Sequence, residues 1–123
     1  MQRKGCCEGS CGAEPEDRFR DFDGKGKLIA GICGGAVLLA QSGILDGKKA
    51  TGNTYGILEE DPDYKHYEKA IVQNDFVVVD GNIITGQGQA YAEFSVEVGK
   101  KLGMFKTEKE YQDEMKWVKN IRS

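Results

Sequence analysis

The chain has 123 residues, of which 39% are hydrophobic and 30% charged, and its formal net charge is −3. This length predicts one small domain, and the mildly acidic charge argues against a nucleic-acid or anionic-membrane partner. No apolar run approaches the ~20 residues that span a bilayer, and no apolar stretch follows the basic N-terminus as in a signal peptide, so we expect a cytoplasmic protein.

Residues 1–14 form a tail rich in glycine and cysteine, for which the sequence predicts disorder. Three of the four cysteines, Cys6, Cys7 and Cys11, lie in this tail. A metal site there is the alternative, but the chain has one histidine and no second cysteine pair, so we expect neither a metal nor a cofactor. The domain is predicted over residues 15–123, beginning with a short helix over 15–22 that Pro15 can open.

The most informative stretch is residues 27–43, where an apolar run enters a Gly-x-Cys-x-Gly turn and a second apolar run leaves it. This pattern predicts a nucleophile elbow: a buried strand, a sharp turn and a helix. Cys33 would lie at the tip of the elbow, where the helix N-terminus favours a thiolate and the N–H of Gly34 can stabilise an oxyanion. The alternative is that Cys33 is a small buried core residue.

After the elbow helix, for which Gly43 is the predicted C-cap, a short strand is expected over 48–51. Residues 52–70 lack regular periodicity and carry an acidic turn, so they are the natural place for a loop that contacts substrate. His66 lies in this segment. It is the only histidine that could act as a base, although the sequence favours an ordinary surface histidine.

The C-terminal half predicts a hairpin and two amphipathic helices. Residues 76–79 and 82–85 are β-branched runs on either side of Asp-Gly, which is a strong hairpin signal. The first helix is predicted to end at Gly103 and to bury Tyr91, Phe94, Val98 and Leu102. The second is predicted to start at Thr107 with a capping box to Glu110 and to bury Tyr111, Met115 and Val118.

In this order, residues 29–35, 38–51, 80–88 and 90–102 resemble the C-terminal two-thirds of the ThiJ/PfpI (DJ-one-like) family. That family belongs to the class I glutamine amidotransferase-like superfamily. The resemblance covers about residues 24–105. It implies a flavodoxin-like three-layer α/β sandwich with a mostly parallel sheet that lacks the N-terminal strands. It also implies that Cys33 is the nucleophile.

Three departures from the family pattern bear on activity. The opening strands of the family, which supply an acidic residue beside the cysteine and a second oxyanion donor, have no counterpart here. Gly34 stands where many members have a histidine, and no histidine neighbours Thr51, where others have one.

Three functions therefore stay open. The first is a cysteine-dependent hydrolase or amidase, or a glyoxalase or deglycase, acting on a small amide or carbonyl substrate. The second is a non-catalytic redox sensor in which Cys33 is oxidised. The third is a truncated, inactive homologue. Because the predicted strands are too few to cover the apolar helices, we also expect a homo-oligomer.

Overall fold

The computed structural model describes residues 21–122, with side chains as far as residue 120. The predicted tail, its cysteines and most of the helix expected over 15–22 therefore lie outside the described residues, although residues 21–24 are helical. The elements in chain order are β1 (Ile29–Ile32), α1 (Gly34–Ser42), β2 (Lys49–Ala50), a 3₁₀ turn (Pro62–Tyr67), β3 (Ile71–Val72), β4 (Val77–Asp80), β5 (Ile83–Gly86), a second 3₁₀ turn (Gly88–Ala90), α2 (Tyr91–Lys101) and α3 (Glu108–Arg122).

The strands form two sheets that contain parallel pairs. The larger sheet has the order β1-β5-β4, with β1 parallel to β5 and β4 antiparallel to β5. The smaller sheet pairs β2 with β3 in parallel. Helices pack against a mixed sheet, so the fold is α/β. Over residues 21–122, none of the helices has both the length and the apolar character needed to cross a membrane.

The predicted hairpin is confirmed as β4 and β5, with its two-residue turn displaced by one position. Asp80 pairs with Ile83, so Gly81 and Asn82 are the central turn residues rather than Asp80 and Gly81. Gly81 has φ 61°, whereas Asn82 is not among the residues with positive φ. This is the pattern of a type II′ turn, which accepts glycine at its first central position without steric cost.

The main core lies between α1, the large sheet and the segments after α1. Ten buried side chains form this cluster: Ile29, Val37, Leu39, Ala40, Ile44, Leu45, Ala50, Ile57, Tyr67 and Ile83. The elbow helix ends as predicted, at Gly43, which adopts the left-handed conformation with φ 89°. One side of α1 nevertheless stays open, because Leu38 is 46% exposed.

The apolar stripe predicted for α2 is right in part: Phe94 and Val98 are half-buried, but its two end residues are not. Tyr91 and Leu102 are largely exposed, whereas the buried positions are Glu93, Val96 and Gly99. The reason is that α2 packs against both the sheet and α3, so no single stripe of large residues is buried.

The predicted stripe of α3 is confirmed. Met115 and Val118 are buried with Val96 of α2, and Tyr111 packs against them. The capping signal at Thr107 is also confirmed, since its hydroxyl accepts the N–H of Glu110 at 3.2 Å. The Glu110 carboxylate accepts the N–H of Lys106 at 2.9 Å, one residue before the position that a capping box would use.

Candidate active site

Cys33 lies at a sharp corner between β1 and α1. Its backbone has φ 55° and ψ −118°, outside the regions that side-chain-bearing residues normally occupy, which costs on the order of 1–3 kcal/mol. Three backbone hydrogen bonds hold the corner. The N–H of Cys33 donates to the carbonyl of Gly86 at 2.9 Å, and its carbonyl accepts the N–H of Ala36 at 3.2 Å and that of Asn53 at 3.3 Å.

Glycine at position 31 lets the strand and the helix converge at this corner. A Cβ on Gly31 would lie 2.8 Å from Leu39 Cδ1 and 2.9 Å from the carbonyl oxygen of Gly35. The same convergence places the start of α1 directly after Cys33. In the described part of the chain, the N–H groups of Gly34 and Gly35 have no backbone acceptor, as is usual for the first turn of a helix.

The thiol of Cys33 is half-buried, and its recorded polar neighbour is a hydroxyl. Cys33 Sγ lies 3.5 Å from Thr54 Oγ1. The backbone of Gly88 lies against both atoms, since a Cβ there would be 3.0 Å from Thr54 Oγ1 and 3.2 Å from Cys33 Sγ. The segment after β2 and the turn after β5 therefore meet at the sulfur.

Two glutamines connect the loop of residues 53–55 to the interior. Gln89 Oε1 accepts the N–H of Tyr55 at 3.0 Å, and Gln89 Nε2 donates to Gln87 Oε1. Gln87 is 2% exposed, and its Nε2 donates to Thr51 Oγ1 at 3.2 Å and to the carbonyl of Asp75 at 3.0 Å. The loop beside Cys33 is thus hydrogen-bonded to buried groups.

Tyr67 contacts the residues at the start of the same loop. Its hydroxyl donates to the carbonyl of Thr51 at 3.4 Å, and it contacts the space that a Cβ on Gly52 would need. Burial, with a smaller contribution from the Asp63 carboxylate, raises the pKa of Tyr67 well above its usual value. Tyr67 is therefore a neutral hydrogen-bond donor to the loop at any physiological pH.

The structure does not bring His66 to Cys33. Its Nε2 lies 3.3 Å from Nε2 of Gln41, a residue at the far end of α1. Gln41 lies eight positions after Cys33 along α1, which corresponds to about 12 Å at 1.5 Å per residue. In this arrangement the His66 ring cannot receive a proton directly from the Cys33 thiol.

Among the side chains described for residues 21–120, no group of three or more His, Cys, Asp or Glu residues is arranged to hold a metal ion. The corner presents a thiol, a hydroxyl, side-chain amides and backbone N–H groups. Chemically, such a set can add sulfur to an electrophile and stabilise negative charge on an oxygen.

The sequence profile of the DJ-1/PfpI family matches residues 15–101, which include the corner, the hairpin and α2. The chain belongs to the DJ-1/PfpI family. The resemblance found in the sequence is thereby confirmed.

Two relatives in this family match over 84 residues each. One is an uncharacterized protein, MJ0967, of Methanocaldococcus jannaschii, 42% identical over 68% of this chain and 40% of its own length. The other is named an uncharacterized protease, YoaZ, of Bacillus subtilis, 40% identical over 65% of this chain and 38% of its own length. The chain thus spans about two fifths of the length of each of these relatives.

Solved structures of the DJ-1 superfamily share the fold. DJ-1beta of Drosophila melanogaster superposes with a TM-score of 0.64 at 27% identity, over 90% of this chain and 54% of that one. The DJ-1 superfamily protein Atu0886 of Agrobacterium tumefaciens superposes with a TM-score of 0.62 at 22% identity, over 89% of this chain and 57% of that one. The predicted flavodoxin-like α/β fold is therefore confirmed.

The sequence did not single out Thr54, Gly88 or Gln89, which the structure places at the corner of this DJ-1/PfpI member. A usable signal was available for Gly88 and Gln89. Strands β1 and β5 are parallel, so Cys33, directly after β1, and the short turn of residues 87–89 after β5 lie at the same edge of the sheet. Thr54 had no such signal, because β2 is only two residues long.

Proposed function

We propose that this protein is a cysteine-dependent enzyme in which the Cys33 thiolate adds to the carbonyl carbon of a small substrate. The observation that carries the proposal is the strained strand-to-helix corner that presents Cys33 at the start of α1. In the addition step sulfur forms a bond to carbon and the carbonyl π pair moves to oxygen. The free N–H of Gly34 is the donor that would stabilise this oxyanion.

Aldehydes fit the corner better than amides. Amide hydrolysis expels an amine, which must receive a proton from an acid near the sulfur. The polar side-chain atom recorded within hydrogen-bond distance of Sγ is the Thr54 hydroxyl, which is a poor acid, and His66 lies at the other end of α1. Addition to an aldehyde has no leaving group, so we propose a glyoxalase-type reaction in the cytoplasm. Deglycation and peptide or amide hydrolysis, which must each release an amine, are the competitors.

The test compares the full-length protein with Cys33→Ala and with Cys11→Ala as a matched cysteine control. Methylglyoxal consumption is expected to fall about 100-fold or more in Cys33→Ala and to be unchanged in Cys11→Ala. Small-amide hydrolysis is measured in parallel. Equal turnover by wild type and Cys33→Ala would refute the enzyme. Fast peroxide oxidation of Cys33 without turnover would favour the redox sensor instead.

We further propose that a second copy of the chain completes the site. Within the described chain, β1 pairs on one edge only, with β5, and its C-terminal end leads directly to Cys33. A strand added to the other edge of β1 would end beside the sulfur and could supply the acid or base that later steps need. Light scattering at micromolar concentration is expected to give at least a dimer; a monomeric mass would contradict the proposal.

A further inference from the structure

The loop beside Cys33 carries a hydroxyl whose recorded hydrogen-bond partner is the sulfur. Thr54 Oγ1 lies 3.5 Å from Cys33 Sγ, and either atom can donate while the sulfur is a thiol. A thiolate can only accept a hydrogen bond. Once Cys33 has lost its proton, Thr54 must therefore be the donor, and a hydrogen bond to the charged form favours that form.

The room around these two atoms is limited, which keeps them together. The backbone of Gly88 lies against both Oγ1 and Sγ, at distances that a Cβ could meet only by pushing one of them away. The N–H of Gly88 also donates to the carbonyl of Asn53 at 2.9 Å, directly before Thr54. The glycine thus allows the loop to approach the sulfur closely and holds it there.

The residues that flank Thr54 are fixed on both sides. On one side the N–H of Asn53 donates to the Cys33 carbonyl; on the other the N–H of Tyr55 donates to Gln89. Both flanking residues have positive φ, 55° for Asn53 and 71° for Tyr55, a conformation that tyrosine seldom adopts without support. Gln89 gives that support through its bond to the buried Gln87.

We propose that Thr54 is the hydrogen-bond donor that stabilises the Cys33 thiolate, and that Gln89 is a positioning residue that holds Thr54 against the sulfur. The inference rests on the proposed function in one respect, because it takes Cys33 as the nucleophile. It assigns to a threonine the contact with sulfur that no described carboxylate or imidazole makes. Thr54 itself undergoes no covalent change.

The experiment measures alkylation of Cys33 by iodoacetamide in the full-length protein across pH, with the sites mapped by mass spectrometry. The Cys6, Cys7 and Cys11 peptides are internal references for reagent activity. Near neutral pH we expect the rate of alkylation of Cys33 to fall about 3- to 10-fold in Thr54→Val, because valine keeps the shape of threonine and removes the hydrogen-bond donor. The curve of alkylation rate against pH should move to higher pH. Thr54→Ser should restore the rate to within about 2-fold of wild type, because it keeps the hydroxyl.

Gln89→Ala tests the positioning role, with Gln112→Ala as the matched control. Gln112 is an exposed glutamine on α3 whose side chain donates to Glu108 at 2.8 Å, far along the chain from the corner. We expect Gln89→Ala to slow alkylation about as much as Thr54→Val, and Gln112→Ala to leave it unchanged. Circular dichroism checks that each variant is folded.

Three results would contradict the inference. A wild-type rate and pH profile in Thr54→Val, or failure of Thr54→Ser to restore the rate, would remove the donor role. A wild-type rate in Gln89→Ala would remove the positioning role. Alkylation does not depend on turnover, so these results are separable from the Cys33→Ala activity assay that tests the proposed function.

Discussion

The Cys33 corner and the pair of helices α2 and α3 (the α2–α3 pair) are held in different ways. The corner is built on the main core of ten buried side chains, and its backbone is hydrogen-bonded to Gly86, the last residue of β5, and to the loop after β2. Between α2 and α3, the buried cluster consists of Val96, Met115 and Val118. Around it, Lys100 Nζ lies 4.1 Å from the centroid of the Tyr111 ring. Phe105 contacts the same ring edge to face, with the two ring centroids 6.0 Å apart.

This difference separates what shapes the site from what covers the outside of the domain. A strained residue such as Cys33 keeps its conformation only if the surrounding structure determines it at several points. The corner meets that requirement through its three backbone hydrogen bonds and the burial of β1 and α1 in the main core. Helix α3 does not contribute to the packing at the corner, and Trp117 on α3 remains 60% exposed. Damage to α3 should therefore leave Cys33 in place, whereas damage to the main core should not.

The largest expected effect compares Leu45→Ala with Met115→Ala. Leu45 is 1% exposed in the main core, so its truncation leaves a closed cavity and should lower the free energy of unfolding by about 2–5 kcal/mol. Met115 lines an open cavity of about 420 Å³ with Lys119, so water can occupy the space that truncation creates. We expect a loss of about 1–2 kcal/mol there.

Urea unfolding measures both losses, and alkylation of Cys33 reports on the corner. Met115→Ala should alkylate at the wild-type rate under native conditions. If Met115→Ala costs as much stability as Leu45→Ala, or changes the alkylation of Cys33, the corner and the α2–α3 pair form one cooperative unit.

The parts of the fold that the sequence predicts well are those determined by local chemistry. The corner was predicted from the Gly-x-Cys-x-Gly spacing, and of its glycines Gly31 meets a local steric need, whereas a Cβ on Gly35 would lie in open space. The β4–β5 hairpin and the capping residue Thr107 likewise depend on a few adjacent residues. In each case one short segment carries enough information to select its conformation.

The parts that sequence reasoning did not predict depend on tertiary packing. The buried side of α2 is selected by two neighbours at once, so a buried Glu93 replaced the expected Tyr91. Thr54 reaches Cys33 only because residues 21 positions apart in the chain are brought together. The separation of His66 from Cys33 likewise follows from the length of α1, which places Gln41 and its partner at the far end.

The smallest expected effect is the pH dependence of the stability of the α2–α3 pair. Partial burial raises the pKa of Tyr111 to about 12, helped by the hydrogen bond to Glu97 and by the nearby carboxylates of Glu97 and Glu108. The hydroxyl of Tyr111 donates to Glu97 Oε2 at 2.6 Å, so the folded state favours the neutral, protonated tyrosine. The stability that this provides is fully present below pH 10, the unfolded pKa, and is lost as pH rises through about 12.

Thermal unfolding of wild type and Tyr111→Phe between pH 9 and 12 measures this contribution. The melting temperature of wild type should fall more steeply than that of Tyr111→Phe, which keeps the ring but has no hydroxyl to ionise. In both proteins, ionisation of Tyr67 in the main core contributes equally to the fall of the melting temperature with pH, because its pKa is raised in both. The difference between the two curves of melting temperature against pH therefore reports on the α2–α3 pair. Parallel curves would mean that ionisation of Tyr111 does not strain the packing of α3 on α2. The α2–α3 pair would then be still more loosely coupled to the rest of the domain than its small buried cluster indicates.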